Sequence, residues 1–146
     1  IDVSHLSEPG FWEVARLSSR PFIASHSNCR AICDHPRNLT DDQIRMVISR
    51  RGVIGLTFVP QFVSDKECVT ITDFLKHIEH ILALGGENHL AFGSDFDGID
   101  DTIQGLANQG DYVHLREVLA RYFTPAQLEK WFWGNWERVF FEVMKK

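Results

Sequence analysis

Residues 21–38 read PFIASHSNCRAICDHPRN, and this stretch decides how the rest of the chain is interpreted. A short apolar run, residues 21–24, leads directly into a polar segment that contains His26 and, further on, Arg37. Enzymes of the α/β class expose their functional residues in this way, at the ends of buried apolar strands. We therefore predict a strand that opens into a functional loop.

The same construction occurs twice more in the chain. Residues 1–5, IDVSH, end at His5, and residues 90–95, LAFGSD, end at Asp95. The carboxyl ends of neighbouring parallel strands lie at one edge of a sheet. We expect His5, His26 and Asp95 to converge there, with the rest of the chain as their scaffold.

Strand and helix patterns alternate along the chain. Strands are predicted at residues 1–4, 22–24, 53–59 and 89–94, and apolar residues at helical spacing follow each of them. The run 53–59, VIGLTFV, is apolar at consecutive positions, which is typical of a strand covered on both faces. Capping residues predict helix starts after Ser7, Thr40 and Thr124.

Three further elements are predicted from local signals. Residues 60–69 form a mobile loop, and a helix over residues 111–122 is buried through Val113, Leu115, Val118 and Leu119. The pair Gly134-Asn135 divides the final aromatic-rich segment into two helices. The tryptophans of that segment are interpreted as packing residues rather than as a binding platform.

The element order predicts an α/β fold made of parallel β/α units. Four such units are half of a (β/α)8 TIM-type barrel, and residues 1–146 are predicted to form a single domain. A half barrel has open sheet edges and an uncovered inner face, so we expect it to pair with another chain or a second copy. A doubly wound sheet is the alternative, but no glycine-rich phosphate loop follows any strand.

Composition narrows the class of partner and compartment. The net charge is −5 with no basic block, which argues against nucleic acid, and no apolar run reaches the roughly 18 residues of a membrane helix. The three cysteines include no CxxC pair, which favours free thiols in a reducing, cytoplasmic compartment. Cys29 and Cys33 are interpreted as small buried residues. The chain has no signal peptide and starts at Ile1, from which we expect a fragment or a cleaved product.

The strand-end residues are the candidates for chemistry, and each has an ordinary alternative. His5 and His26 have the residue type to share one zinc ion, or they are hydrogen-bonded structural histidines. Asp95 is a candidate general base, metal ligand or orienting residue, or it merely caps a turn. Arg37 is suited to hold a carboxylate with its forked guanidinium, or it is a solvated surface residue.

The remaining histidines have no strand-end context and are predicted to be surface or capping residues; they are His35, His77, His80, His89 and His114. Asp97, directly before Gly98, is assigned to a turn.

Five blocks occur in a characteristic order, and together they resemble the C-terminal half of the membrane dipeptidase family of zinc metallopeptidases. They are DVSHLS, ASHSNCRAICDHPRN, GVIG, GSDFDG and GNWERVF, and the resemblance covers essentially all 146 residues. It implies a (β/α)8 barrel with a binuclear zinc site that hydrolyses dipeptides, often with a D-residue on the C-terminal side. It further implies that His5 and His26 bind the second zinc, that Arg37 binds the dipeptide carboxylate and that Asp95 transfers protons beside the metal-bridging water.

The chain departs from the family pattern in one respect. The His-x-Asp motif of the first barrel strand and the Glu that bridges both metals are absent from this sequence. Two hypotheses follow: the catalytic C-terminal half of a zinc dipeptidase, or a non-catalytic half barrel that pairs for structural reasons. A different metal-dependent amidohydrolase is a third, against which Arg37 in its HPRN context argues. We expect the isolated chain to be neither metal-replete nor a stable monomer.

Overall fold

The computed structural model describes residues 1–145 and shows a parallel sheet flanked by helices. The strands are β1 (Ile23–Ala24), β2 (Val53–Leu56) and β3 (Leu90–Phe92), in the order β1-β2-β3 with both pairings parallel. The helices are α1 (Glu8–Leu17), α2 (Asp41–Ser49), α3 (Pro60–Val63), α4 (Ile71–Ala83), α5 (Tyr112–Leu119), α6 (Pro125–Glu129) and α7 (Asn135–Met144). The predicted alternation of parallel strands and helices is confirmed. None of the helices in these residues has the length and apolarity to cross a membrane.

The predicted first strand, residues 1–4, is reduced to one parallel bridge. Asp2 pairs with Ile23, and Val3 N–H donates to the Ile23 carbonyl at 2.8 Å. The chain then turns at Ser4, whose amide donates to the Asp2 side chain instead of continuing the ladder. This segment therefore adds an edge position beside β1 without forming a regular strand.

Three other predictions need correction. Residues 60–63 of the predicted loop form helix α3, which begins at Pro60 because proline favours the first helical turn. Val113 is 66% exposed, whereas Leu115 and Leu119 of α5 are buried and Val118 packs partly buried against the core, as predicted. Gly134 does not end a helix, because a π-helical turn over Lys130–Gly134 joins α6 to α7 with helical dihedral angles throughout. The predicted caps at Ser7, Thr40 and Thr124 are confirmed.

Both faces of β2 and β3 are buried within this chain, so the expectation of an uncovered inner sheet face is wrong for these strands. Ile54 and Phe92 point into the main core beneath the helices. On the opposite face, Val53 and Ala91 pack against Val139 of α7. Exposed apolar surface remains near the β1 edge instead, where Trp133 and Phe140 line a groove beside Ile23.

The C-terminal segment is joined to the sheet by side-chain hydrogen bonds to carbonyls within β3 and just before β2 and β3. Asn135 Nδ2 donates to the carbonyls of Glu87 and Leu90 at 3.0 and 2.7 Å, and Trp136 Nε1 donates to the Phe92 carbonyl at 3.1 Å. Arg138 donates to the Gly52 and Asn88 carbonyls. The GNWERVF block therefore attaches the C-terminal helix to β2 and β3. Trp131 is fully buried and Trp136 packs beside Val139, in agreement with a packing role, whereas Trp133 is 48% exposed and departs from it.

His77 is fully buried on α4, which corrects its assignment as a surface or capping residue. Its Nδ1 accepts from the Cys29 amide at 3.1 Å, so its Nε2 carries the proton and donates to the Val63 carbonyl at 2.9 Å. Burial, with smaller contributions from His80 and Lys76, lowers the pKa of His77 to about 4. This neutral imidazole ties α4 to α3 and to the segment after β1, where Cys29 and Cys33 are both buried as interpreted from the sequence.

The buried His77 predicts a loss of stability at mildly acidic pH. Because its pKa is lower in the folded state, the unfolded chain binds more protons below pH ~6.5, and stability falls as the pH drops toward about 4. We expect a contribution of roughly 2–3 kcal/mol to the loss of unfolding free energy between pH 7.5 and 4.5. Urea unfolding of His77→Gln should show a correspondingly weaker pH dependence, whereas the exposed-site control His114→Gln should follow the wild type.

Candidate active site

The site lies where the chain leaves β1 and passes the carboxyl ends of β2 and β3. The Ser25 carbonyl oxygen rests against the backbones of Gly55 and Gly93, and a Cβ at these glycines would lie 2.2 and 1.8 Å from it. Real Cβ atoms do not approach an oxygen this closely, so only glycine permits the contact. The glycines of the GVIG and GSDFDG blocks thus allow the segment that contains His26 to pack directly against the sheet.

His5 and His26 meet through their Nε2 atoms, which are 2.8 Å apart. The His26 amide donates to Ser4 Oγ at 2.9 Å, which joins the two segments just before each ring. His26 Nδ1 lies 2.7 Å from Ser25 Oγ. Both rings therefore present Nε2 to a common point.

Asp95 follows β3 and lies beside this point, with Oδ2 3.9 Å from His26 Nε2. Its backbone is left-handed, with φ 62°, a conformation that aspartate adopts more readily than most residues. Burial lowers the pKa of His26, the Asp95 carboxylate opposes that shift, and His5 reinforces it. A neutral His26 imidazole is the form able to bind a metal.

Arg37 reaches the same point from the loop after β1. Its Nε donates to the Ser4 carbonyl at 3.1 Å, and its Nη2 lies 3.3 Å from Nε2 of both His5 and His26. The guanidinium also stacks over the Phe62 ring, 5.5 Å from the centroid. Arg37 is therefore held in place rather than being free in solvent.

All four residues singled out from the sequence, His5, His26, Arg37 and Asp95, thus lie together at one end of the sheet. Asp97 stays apart, in the short 3-10 turn Phe96–Gly98. Three of the other histidines bind protein groups: His80 contacts Asp41, His89 contacts the Gly52 carbonyl, and His35 Nδ1 accepts from the Arg37 amide.

Sequence reasoning missed the residues that support the site. Asn38 is buried and donates to the carbonyls of Cys33 and Phe62, while its Oδ1 accepts from the Asn28 amide. Asn28 in turn pairs with the backbone of Thr57 through both side-chain atoms. The only available signal was the presence of both asparagines in the block that also holds His26 and Arg37.

The donor set is chemically suited to a divalent metal. Two nitrogens on a tetrahedral zinc are roughly 3.3 Å apart, so the 2.8 Å between the His5 and His26 Nε2 atoms needs to open only slightly. Within residues 1–145, however, no three His, Cys, Asp or Glu residues are grouped so that they could hold a metal ion. The described residues therefore bring two imidazole nitrogens together without a third metal-binding side chain grouped with them.

Comparison with known proteins gives this site its context. The family model for membrane dipeptidase (peptidase family M19) matches residues 1–146, so the chain belongs to this family of metallopeptidases. An uncharacterized protein from the pqqA 5′ region of Klebsiella pneumoniae is 37% identical over 100% of this chain and 55% of its own length. The dipeptidase tcpJ of Claviceps purpurea is 33% identical over 98% of this chain and 34% of its own length.

Solved structures support the same assignment. The metallopeptidase dipeptidase AC superimposes with a TM-score of 0.91 at 35% identity, over 97% of this chain and 43% of that one. A metallopeptidase from Rhodobacter sphaeroides, bound to a phosphinate mimic of the dipeptide L-Ala-D-Ala, gives 0.91 and 35%, over 97% and 41%. The chain thus spans about half the length of the relatives it matches, and its β/α units are about half of their TIM-barrel-like fold.

Proposed function

We propose that this chain supplies part of the active site of a zinc-dependent dipeptidase. The observation that supports this proposal most directly is that His5 Nε2, His26 Nε2 and Arg37 Nη2 lie within 3.3 Å of one another at the carboxyl end of the sheet. Metal-ligating and carboxylate-binding side chains beside one another suit a small substrate with a free carboxylate. The family and the dipeptidase relatives agree with this substrate class.

In this proposal His5 and His26 hold one zinc ion of a binuclear site, and residues outside this chain complete its shell. Bound zinc lowers the pKa of a water molecule and polarises the scissile carbonyl. Two imidazoles with a nearby carboxylate form a set of ligands that suits zinc better than it suits magnesium or calcium. Residues from the other half of the barrel, or from a second copy, provide the remaining ligands.

Arg37 binds the substrate carboxylate. Its Nε is occupied by the Ser4 carbonyl and its plane is fixed over Phe62, so its terminal nitrogens face the histidines in a defined orientation. A carboxylate held here lies close to the bond being cleaved. This geometry restricts the substrate to very short peptides.

Asp95 transfers the proton. Its Oδ2 lies 3.9 Å from His26 Nε2, close enough to accept a proton from a nucleophilic water at this point and return it to the leaving amine.

Replacing Arg37 with lysine tests the carboxylate contact. Lysine keeps the positive charge but lacks the paired N–H donors of the guanidinium. We therefore expect kcat/KM for a dipeptide to fall roughly 10- to 1000-fold, with the metal content unchanged. A dipeptide amide, which lacks the carboxylate, is the matched substrate. The wild type should discriminate strongly against the amide, and Arg37→Lys should do so far less. Equal discrimination by both proteins would remove Arg37 from the carboxylate site.

Metal analysis and turnover of the full-length protein test the function as a whole. We expect two zinc ions per protein and hydrolysis of unblocked dipeptides but not of N-acetylated dipeptide amides. Removing the metal with a chelator should abolish turnover, and added zinc should restore it. A metal-free, inactive full-length protein would favour a non-catalytic half barrel, a role that the exposed apolar edge at Trp133 and Phe140 would suit.

A further inference from the structure

Asp2 lies at the centre of hydrogen bonds that the proposed reaction leaves unused. Its Oδ1 accepts from the amides of Ser4 and Ser25 at 3.1 and 2.9 Å. Its Oδ2 accepts from the Ser25 hydroxyl. The same hydroxyl oxygen lies 2.7 Å from Nδ1 of His26. A continuous path therefore runs from Asp2 through Ser25 to one of the two candidate metal ligands.

Counting protons along this path fixes the direction of each bond. An ionised carboxylate only accepts, so Ser25 must give its single hydroxyl proton to Asp2. Ser25 Oγ then has only lone pairs left for His26, and the proton between them must belong to His26 Nδ1. The charge state of Asp2 supports this: burial acts to raise its pKa, but hydrogen bonds from Ser25 and Ser4 outweigh burial and lower it.

The contacts on the opposite side of the ring agree with this assignment. Arg37 Nη2, which can only donate, lies 3.3 Å from His26 Nε2. An Nε2 that faces a donor carries a lone pair rather than a proton. A neutral imidazole with its proton on Nδ1 satisfies the contacts with Ser25 and Arg37, and its Nε2 accepts from His5 Nε2, 2.8 Å away, when His5 carries its own proton there.

From these contacts we infer that Asp2 and Ser25 are positioning residues that hold His26 as the Nδ1-protonated tautomer and aim its Nε2 lone pair into the metal site. The inference rests on the proposed function for the metal, but the tautomer itself is a property of this chain. Hydrogen-bonding partners of this kind, behind a ligating histidine, fix the ring orientation and raise its basicity. Asp2 of the DVSH block and Ser25 of the SHSN block thus act together on one histidine, His26.

Histidine ¹⁵N chemical shifts in the metal-free full-length protein test the tautomer, with the His26 signals assigned by their loss in His26→Asn. We expect the wild type to carry the proton on Nδ1. Ser25→Ala and Asp2→Asn should shift His26 toward a mixture of tautomers. Ser25→Thr keeps the hydroxyl and should retain the wild-type signal, and the exposed-site variant Asp42→Asn should leave it unchanged.

Zinc transfer to a competing chelator gives the second readout. Ser25→Ala should weaken the zinc site that uses His26 by roughly 10- to 100-fold, and Ser25→Thr should restore much of that loss. A wild-type His26 protonated on Nε2, or a Ser25→Ala protein with the wild-type tautomer and zinc affinity, would overturn the inference. If the tautomer responds as expected but the wild type binds no zinc, the proposed function fails. The positioning of His26 by Asp2 and Ser25 is then still supported.

Discussion

His26→Ala is expected to remove one of two zinc ions from the full-length protein and to lower kcat/KM for dipeptides on the order of 1000-fold or more. The reason is that, in the proposed function, His26 Nε2 is one of two nitrogen ligands within residues 1–145, 2.8 Å from the other, His5 Nε2. Loss of the ion removes both a source of nucleophilic hydroxide and a Lewis acid. Metal analysis by mass spectrometry and dipeptide kinetics measure the two effects.

The exposed His114 on α5 provides the matched control. His114→Ala should keep both metal ions and wild-type kinetics. A His26→Ala protein with two zinc ions and normal turnover would contradict the proposed ligand role.

Gly93→Ala is expected to be the most destabilising small substitution near the site. The new Cβ would lie 1.8 Å from the Ser25 carbonyl oxygen, and backbone cannot rotate away as a flexible side chain can. We expect the free energy of unfolding to fall by more than about 3 kcal/mol, beyond ordinary overpacking of a core. Because Ser25 would be displaced, any folded variant should also lose the close approach of His26 to His5 and therefore metal affinity.

Two other glycines separate the close contact from a general effect of alanine. Gly55→Ala, with a Cβ 2.2 Å from the same oxygen, should behave like Gly93→Ala. Gly134→Ala has ordinary contacts, no closer than 3.5 Å, and a helical φ of −59°, so it should be neutral or stabilising. Denaturant unfolding of the three variants measures the difference. Equal stability of Gly93→Ala and Gly134→Ala would show that the Ser25 segment does not rest on the sheet as described.

Much of the fold was accessible from the sequence because the relevant signals are local. Continuous apolar runs predicted the buried parallel strands β2 and β3, and the capping residues predicted where α1, α2 and α6 begin. Boundaries were less accurate. The strand predicted over 53–59 ends at Leu56, since Thr57 N–H bonds to the Asn28 side chain instead of to a neighbouring strand.

The candidate site divides in the same way. Strand-end position identified the types of residue that carry chemistry, His5, His26, Arg37 and Asp95, without showing how close they lie or which atoms face each other. The supporting roles of Asp2, Ser25 and Asn38 were not predicted, because these roles depend on hydrogen-bond partners that only the fold brings near. His77 was misjudged for the same reason: its partners, Cys29 and Val63, are distant in sequence and give no periodic signal.

The sequence by itself determined the order of parallel β/α units, the helix starts and the residue types at the strand ends, because each depends on neighbours a few positions away. Only the tertiary structure decided that α7 covers the second face of the sheet and that the Ser25 carbonyl lies on Gly55 and Gly93. It also decided that Asp2 reaches His26 through Ser25. These contacts join segments tens of residues apart, and their geometry exists only once the strands are paired and the chain has crossed their ends.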